Sequence, residues 1–95
     1  MATQATAAIT AANTFTAPVL LNTGGPGRYN ISVYGVFVAT VTVQRSFDGG
    51  TTWLDVTNYS APTEDQGVEI ENALYRVGVK TGNFTSGTVN VRLGA

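Results

Sequence analysis

Apolar and polar side chains alternate with a period of two through most of this chain, and that pattern narrows the folds open to it more than any other feature. Tyr29, Ile31 and Val33 alternate with Asn30, Ser32 and Tyr34, and Ala39, Val41 and Val43 with Thr40, Thr42 and Gln44. Further on, Tyr75, Val77 and Val79 alternate with Arg76, Gly78 and Lys80, and Val89, Val91 and Leu93 with Asn90 and Arg92. Successive side chains of a strand point to opposite faces, so each run reads as a strand with one face buried. No comparable stripe at helical spacing is present. Fifteen Thr and many Val agree with this, because β-branched side chains fit a pleated surface better than a helix.

Turn-forming residues separate the runs. Gly24-Gly25-Pro26-Gly27, Asp48-Gly49-Gly50, Ala61-Pro62, Thr81-Gly82-Asn83 and Ser86-Gly87 break the chain at the spacing of a sandwich or barrel. The expected strands cover residues 14–21, 28–36, 38–46, 52–59, 67–71, 73–80 and 88–94. The fold class is therefore all-β: one antiparallel sandwich, Ig-like or jelly-roll-like, of about seven strands over residues 14–95. Residues 1–13 are Ala, Thr and Gln with almost no apolar bulk, too little to offset the entropy of ordering alone. They are expected to form an extended arm, either flexible or ordered against a neighbour's sheet edge.

Composition removes several function classes. Five Lys and Arg against six Asp and Glu give a net charge of -1, and only 12% of residues are charged. Arg28, Arg45, Arg76, Lys80 and Arg92 are scattered singly, whereas affinity for a phosphate backbone needs clustered cations, so no nucleic-acid partner is expected. Neither Cys nor His occurs. That excludes thiolate and imidazole nucleophiles and the usual zinc and non-haem iron sites, and no cofactor is expected. The first 21 residues carry no basic region and no continuous apolar run, so no membrane contact is expected and synthesis in the cytoplasm is the default.

The stretch SFDGGTTW, residues 46–53, is the densest motif. It resembles the Asp-box of sialidase-type β-propellers, but a propeller needs several blades of ~40 residues and cannot be built from 95. The box is a structural turn in those proteins, so the resemblance implies no catalytic residue here. Ser46, Asp48, Gly49, Gly50, Thr52 and Trp53 read as a hairpin lock: Asp accepts bonds from amides just ahead of it, Gly takes positive φ, and the indole caps the end. The one acidic cluster is Glu64, Asp65, Glu69 and Glu71. Glu69 and Glu71 sit two apart on an expected strand, where they read as a solvated edge that discourages sheet aggregation; calcium binding and paired-carboxylate hydrolysis are weaker readings. Sequons at Asn30, Asn58 and Asn83 read as products of an Asn/Ser/Thr-rich chain. Tyr34, Tyr59 and Phe84 are candidate sugar-stacking platforms, with a core or interface role preferred.

The run YNISVYGVFVATVTVQRSFDGGTTWLDV, residues 29–56, together with ALYRVGVKTGNFTSGTVNVRLGA, residues 73–95, resembles small β-sandwich proteins encoded among the structural genes of tailed bacteriophages. What the resemblance implies is a non-enzymatic virion component. The first expectation is a capsid decoration, or cement, protein, made in the host cytoplasm and bound to the outside of the shell, with the major capsid protein as partner. A head–tail connector component and a glycan-binding adhesion module on head or tail are the alternatives. A homotrimer is favoured from the threefold axes of such shells. Phe15, Val19, Leu20 and Leu21 are the candidate partner-binding residues at the base of the arm.

Overall fold

The computed structural model describes residues 4–22 and 24–95. Among them the chain is all-β, with eleven strands and no helix. The strands are β1 (Gln4–Ile9), β2 (Thr14–Phe15), β3 (Val19–Leu21), β4 (Arg28–Tyr34), β5 (Phe37–Ala39), β6 (Val41–Ser46), β7 (Leu54–Tyr59), β8 (Thr63–Val68), β9 (Ala73–Val79), β10 (Phe84–Gly87) and β11 (Val89–Gly94). One sheet has the order β1-β11-β4-β8; the other runs β2-β9-β6-β7, with β3 also paired to β9; β5 and β10 form a two-stranded ribbon. Every pairing is antiparallel.

The period-two pattern builds one core. Ile9, Ile31, Val33, Val89, Val91 and Leu93 from the first sheet meet Val19, Leu21, Val41, Val43, Tyr75, Val77 and Val79 from the second. Burial of each such side chain stabilises the fold by about 1.5–3 kcal/mol, so the sandwich rests on this layer. Phe37, Ala39 and Phe84 of the ribbon pack on it at the end where β4 finishes and β6 begins.

Four departures from the expected strands have physical causes. The expected strand 14–21 is two, because Pro18 has no N–H to give a ladder. Thr16 fills the break: its N–H donates to the Val77 carbonyl at 2.9 Å and its hydroxyl accepts from the Val77 N–H at 3.2 Å. The expected strand 67–71 lies earlier, at Thr63–Val68, paired with β4 from Arg28 to Val33. Residues 84–87, expected as a turn, are β10, which pairs with β5, and the expected strand 38–46 is accordingly divided into β5 and β6 at Thr40, whose N–H donates to the Asn83 carbonyl at 2.9 Å.

The fourth departure concerns the N-terminal segment. It is extended, but Gln4–Ile9 is laid along β11 of this chain's own sheet in unbroken register, and Ile9 is fully buried. An arm without a place in its own sandwich is therefore not what residues 4–9 form; alternating Ala5, Ala7 and Ile9 face the core and supply the burial that the composition seemed to lack. Residues 1–3 of the expected arm lie outside the described residues.

Candidate functional site

The motif at residues 46–53 is a closed network. The Ser46 hydroxyl donates to Asp48 Oδ1 at 2.7 Å and accepts from the Gly50 N–H at 2.8 Å, while Asp48 Oδ1 also accepts from the Thr52 N–H at 2.8 Å. The bond from the Thr52 backbone, then the one from Ser46, holds the Asp48 carboxyl down at about 2. Gly49 and Gly50 both have positive φ, 75° and 97°, which lets the chain turn back at no steric cost. Asp48 is thus a fixed anion committed to the Thr52 amide and the Ser46 hydroxyl. Ser46→Ala is expected to cost about 1–2 kcal/mol, because the half-buried Gly50 amide loses its acceptor and Asp48 loses a donor. That corresponds to roughly 5–15 °C in Tm for a domain of this size, read by thermal unfolding.

The acidic cluster does not hold together as one site. Glu64 accepts from the Ser32 hydroxyl at 2.6 Å and Asp65 from the Tyr59 hydroxyl at 2.6 Å, both near the surface. Glu69 is a correction to the sequence reading: it lies past the end of β8 and is turned inward, only 3% exposed, rather than solvated beside Glu71. Its Oε1 accepts from Arg45 Nη1 at 2.9 Å and the Tyr75 hydroxyl at 2.7 Å; its Oε2 accepts from the N–H groups of Ile70 at 2.9 Å and Glu71 at 3.1 Å. Burial pushes this carboxyl up, but the bonds from Tyr75, the Glu71 amide and Arg45 outweigh it and hold the group below its usual range. Gly27 makes the inward turn possible: its carbonyl accepts from the Glu69 N–H at 2.9 Å, its φ is 68°, and any Cβ there would strike the Glu69 carbonyl oxygen. Among the described residues no group of three or more His, Cys, Asp or Glu is placed to hold a metal ion.

Glu69 and Asp65 share a structural job. Both tie β8 and the segment after it to the facing sheet, through Arg45 and Tyr75 in one case and Tyr59 in the other. An inward-pointing charge satisfied in this way also spoils an edge strand as a template for another chain.

Of the candidate partner-binding residues, the structure brings none into a single patch. Val19 and Leu21 are buried in the core, which corrects their reading as partner contacts: in β3 the pattern is inward, outward, inward, and only Leu20 faces solvent. Phe15 is half-buried on the outer face of the second sheet. Of the candidate sugar platforms, Tyr59 and Phe84 pack against the core, while Tyr34 is 54% exposed.

Two arrangements were not foreseen. The first is the placement, among the described residues, of seven of the nine large exposed apolar side chains at opposite ends of the sandwich. Tyr34, Val36 and Val38 lie where β4 ends and the ribbon begins, with Val36 90% exposed. Phe47, Leu54, Val68 and Ile70 lie at the Glu69 end, with Ile70 84% exposed. Val68 pairs with Arg28 at the start of β4, whereas Tyr34 ends that strand, so the two groups are separated by about 20 Å of strand.

The second is a stack around Arg76 on the outer face of the second sheet. The Arg76 guanidinium carbon lies 4.0 Å from the centre of the Phe15 ring and 4.2 Å from that of Trp53. Arg76 Nε donates to Gln44 Oε1 at 2.9 Å; Gln44 Nε2 donates to Asp55 Oδ1 at 2.9 Å; Lys80 Nζ meets Asp55 Oδ2 at 2.6 Å. Burial lowers the Arg76 pKa from its usual value. Aromatic faces attract a guanidinium, and the three residues come from β2, β9 and the hairpin before β7, so the stack pins the hairpin and β2 to the sheet. Trp53 was legible as a cap; its partner was not, since neither Phe15 nor Arg76 is near it in sequence.

Comparison with known proteins finds no family model, no curated protein and no solved structure that matches this chain.

Proposed function

We propose that the protein is a non-enzymatic bacteriophage virion component, a capsid decoration protein that binds the outer surface of the shell and holds neighbouring subunits of the major capsid protein together. The observation that carries this reading is the pair of apolar groups at opposite ends of a sparsely charged sandwich. A molecule that bridges two subunits needs two separate adhesive surfaces and a stiff body between them. Exposed apolar groups of this kind mark interaction surfaces. Each copy touching two subunits gains from effective concentration: once one end is bound, the other binds as an intramolecular event, so modest patches hold. The resemblance of residues 29–56 and 73–95 to phage structural sandwiches supports the same assignment. A homotrimer on local threefold axes is the assembly proposed with it.

The test uses shells stripped of this protein. Wild-type protein is expected to rebind and to raise the temperature at which shells open. Val36→Glu with Val38→Glu at one end, and Val68→Glu with Ile70→Glu at the other, should each abolish that gain while leaving the isolated protein folded, because all four side chains already face water. Full occupancy and full stabilisation with both ends charged would remove the bridging reading.

A further inference from the structure

We propose that the concavity beside Arg76 on the outer face of the second sheet is a binding site for the carboxylate of an acidic sugar residue, of the uronic acid class. The proposal goes beyond the virion reading and does not depend on it. The concavity has a volume of about 410 Å³ and is lined by Asn13, Phe15, Gln44, Arg76, Lys80 and Thr81.

Three features of the site select this ligand. First, Arg76 is held in place by the rings of Phe15 and Trp53 and by Gln44, yet only its Nε has a hydrogen-bond acceptor among the described residues. Its two terminal amino groups present the planar fork that suits a bidentate carboxylate, and the entropy of ordering that fork has already been lost in folding. Second, the charge is right for a monoanion. Lys80 is neutralised by Asp55, which Gln44 also contacts, so the cluster carries a net charge of one positive unit from two cations and one acid. A phosphate dianion would face Asp55 with only one uncompensated cation to hold it. Third, the remaining lining is that of a sugar site. Phe15 lines the concavity with an apolar ring, and the exposed Asn13 and Thr81 bring an amide and a hydroxyl to the same lining. Asn13 has φ 56°, in the left-handed region that a non-glycine residue enters at some cost, which fixes the direction of the chain at the rim.

Trp53 is the chain's single tryptophan and is stacked on Arg76, so its fluorescence reports directly on occupancy. The isolated protein is titrated with glucuronate, with glucose as the neutral counterpart, and with inorganic phosphate, and side-chain amide shifts give a second readout. Glucuronate is expected to give a saturable response with a Kd on the order of millimolar, as befits one bidentate contact and one wall. Glucose and phosphate should bind at least roughly tenfold more weakly, since neither satisfies the fork and the charge together. Arg76→Lys keeps the charge and loses the fork, and should weaken glucuronate by at least roughly tenfold. Asn13→Gly tolerates the same backbone and removes the amide, so it tests the site without touching the aromatic stack; several-fold weakening is expected. Equal binding of glucose, tighter binding of phosphate, no saturable response in either readout, or unchanged affinity in Asn13→Gly would each overturn the proposal. Because no shell is present in these titrations, their outcome is separate from that of the capsid experiment.

Discussion

Glu69→Ala is expected to cost the fold about 2–4 kcal/mol at neutral pH, a large part of the ~5–15 kcal/mol that holds a domain of this size together. The carboxylate accepts four bonds, and the variant strands the Tyr75 hydroxyl, itself 1% exposed, in the interior, while the amides of the exposed Ile70 and Glu71 lose an acceptor that water replaces in part. The Arg45 contribution is the small part, because its guanidinium is 39% exposed and water takes over much of the lost attraction. Tyr75 also stacks on Tyr29, with ring centroids 4.8 Å apart, so a loosened hydroxyl is felt in the adjoining strand of the other sheet. The pH dependence follows from the depressed carboxyl. Its stabilisation is fully present above the unfolded value of 4.5 and is lost as pH falls through the lower folded value. Urea unfolding at pH 7 and at a series of acid pH values should therefore show wild-type stability falling on the acid side, and Glu69→Gln falling less steeply from a lower start. Equal midpoints for wild type and Glu69→Ala at pH 7 would mean that the inward carboxylate does not hold the Glu69 end together.

The strands that were legible are those whose inward row is apolar. β4, β6, β9 and β11 bury Ile31, Val33, Val41, Val43, Tyr75, Val77, Val79, Val89, Val91 and Leu93, and a period of two in such residues has one interpretation. β8 was displaced in the sequence reading because its inward row is Thr63, Asp65 and Gly67: this strand is held by one hydrogen bond from Tyr59 and by pairing with β4, neither of which leaves an apolar period. Gly67 lies under the Tyr29 ring, where a Cβ would meet the phenol oxygen at 2.5 Å, so even the apolar contact here is made by the partner strand. The hairpin lock was legible because all its bonds are local, between residues 46 and 52. The roles of Glu69 and Arg76 depend on Gly27, Arg45, Tyr75, Phe15 and Trp53, residues brought together only by the two sheets. Spacing along the chain carries no trace of such contacts, and a two-residue interval between Glu69 and Glu71 suggested a shared face that a single turn out of β8 abolishes.

Removal of residues 1–9 should destabilise the isolated protein severely, and Ile9→Ala alone should cost about 2–5 kcal/mol, because that side chain is fully buried against the core. The deletion would also leave β11, whose inward row is Val89, Val91 and Leu93, as an unprotected sheet edge, so aggregation on mild heating is expected beside the loss of stability. Thermal unfolding with light scattering reads both, and hydrogen exchange should show protected amides within residues 5–9 of the free wild-type protein. Unchanged stability after the deletion would return this segment to the role of an arm awaiting a partner. The distinction decides how any loss of shell binding is interpreted: a truncated protein that fails to bind has lost a strand of its sandwich, and the failure carries no information about contact. Thr6→Lys and Ala8→Lys separate the two effects, since both positions face outward on β1 and leave Ile9 in place. If β1 touches the shell or a second copy through that face, these variants lose binding at unchanged Tm; if it serves only to close the sheet, they bind as wild type does.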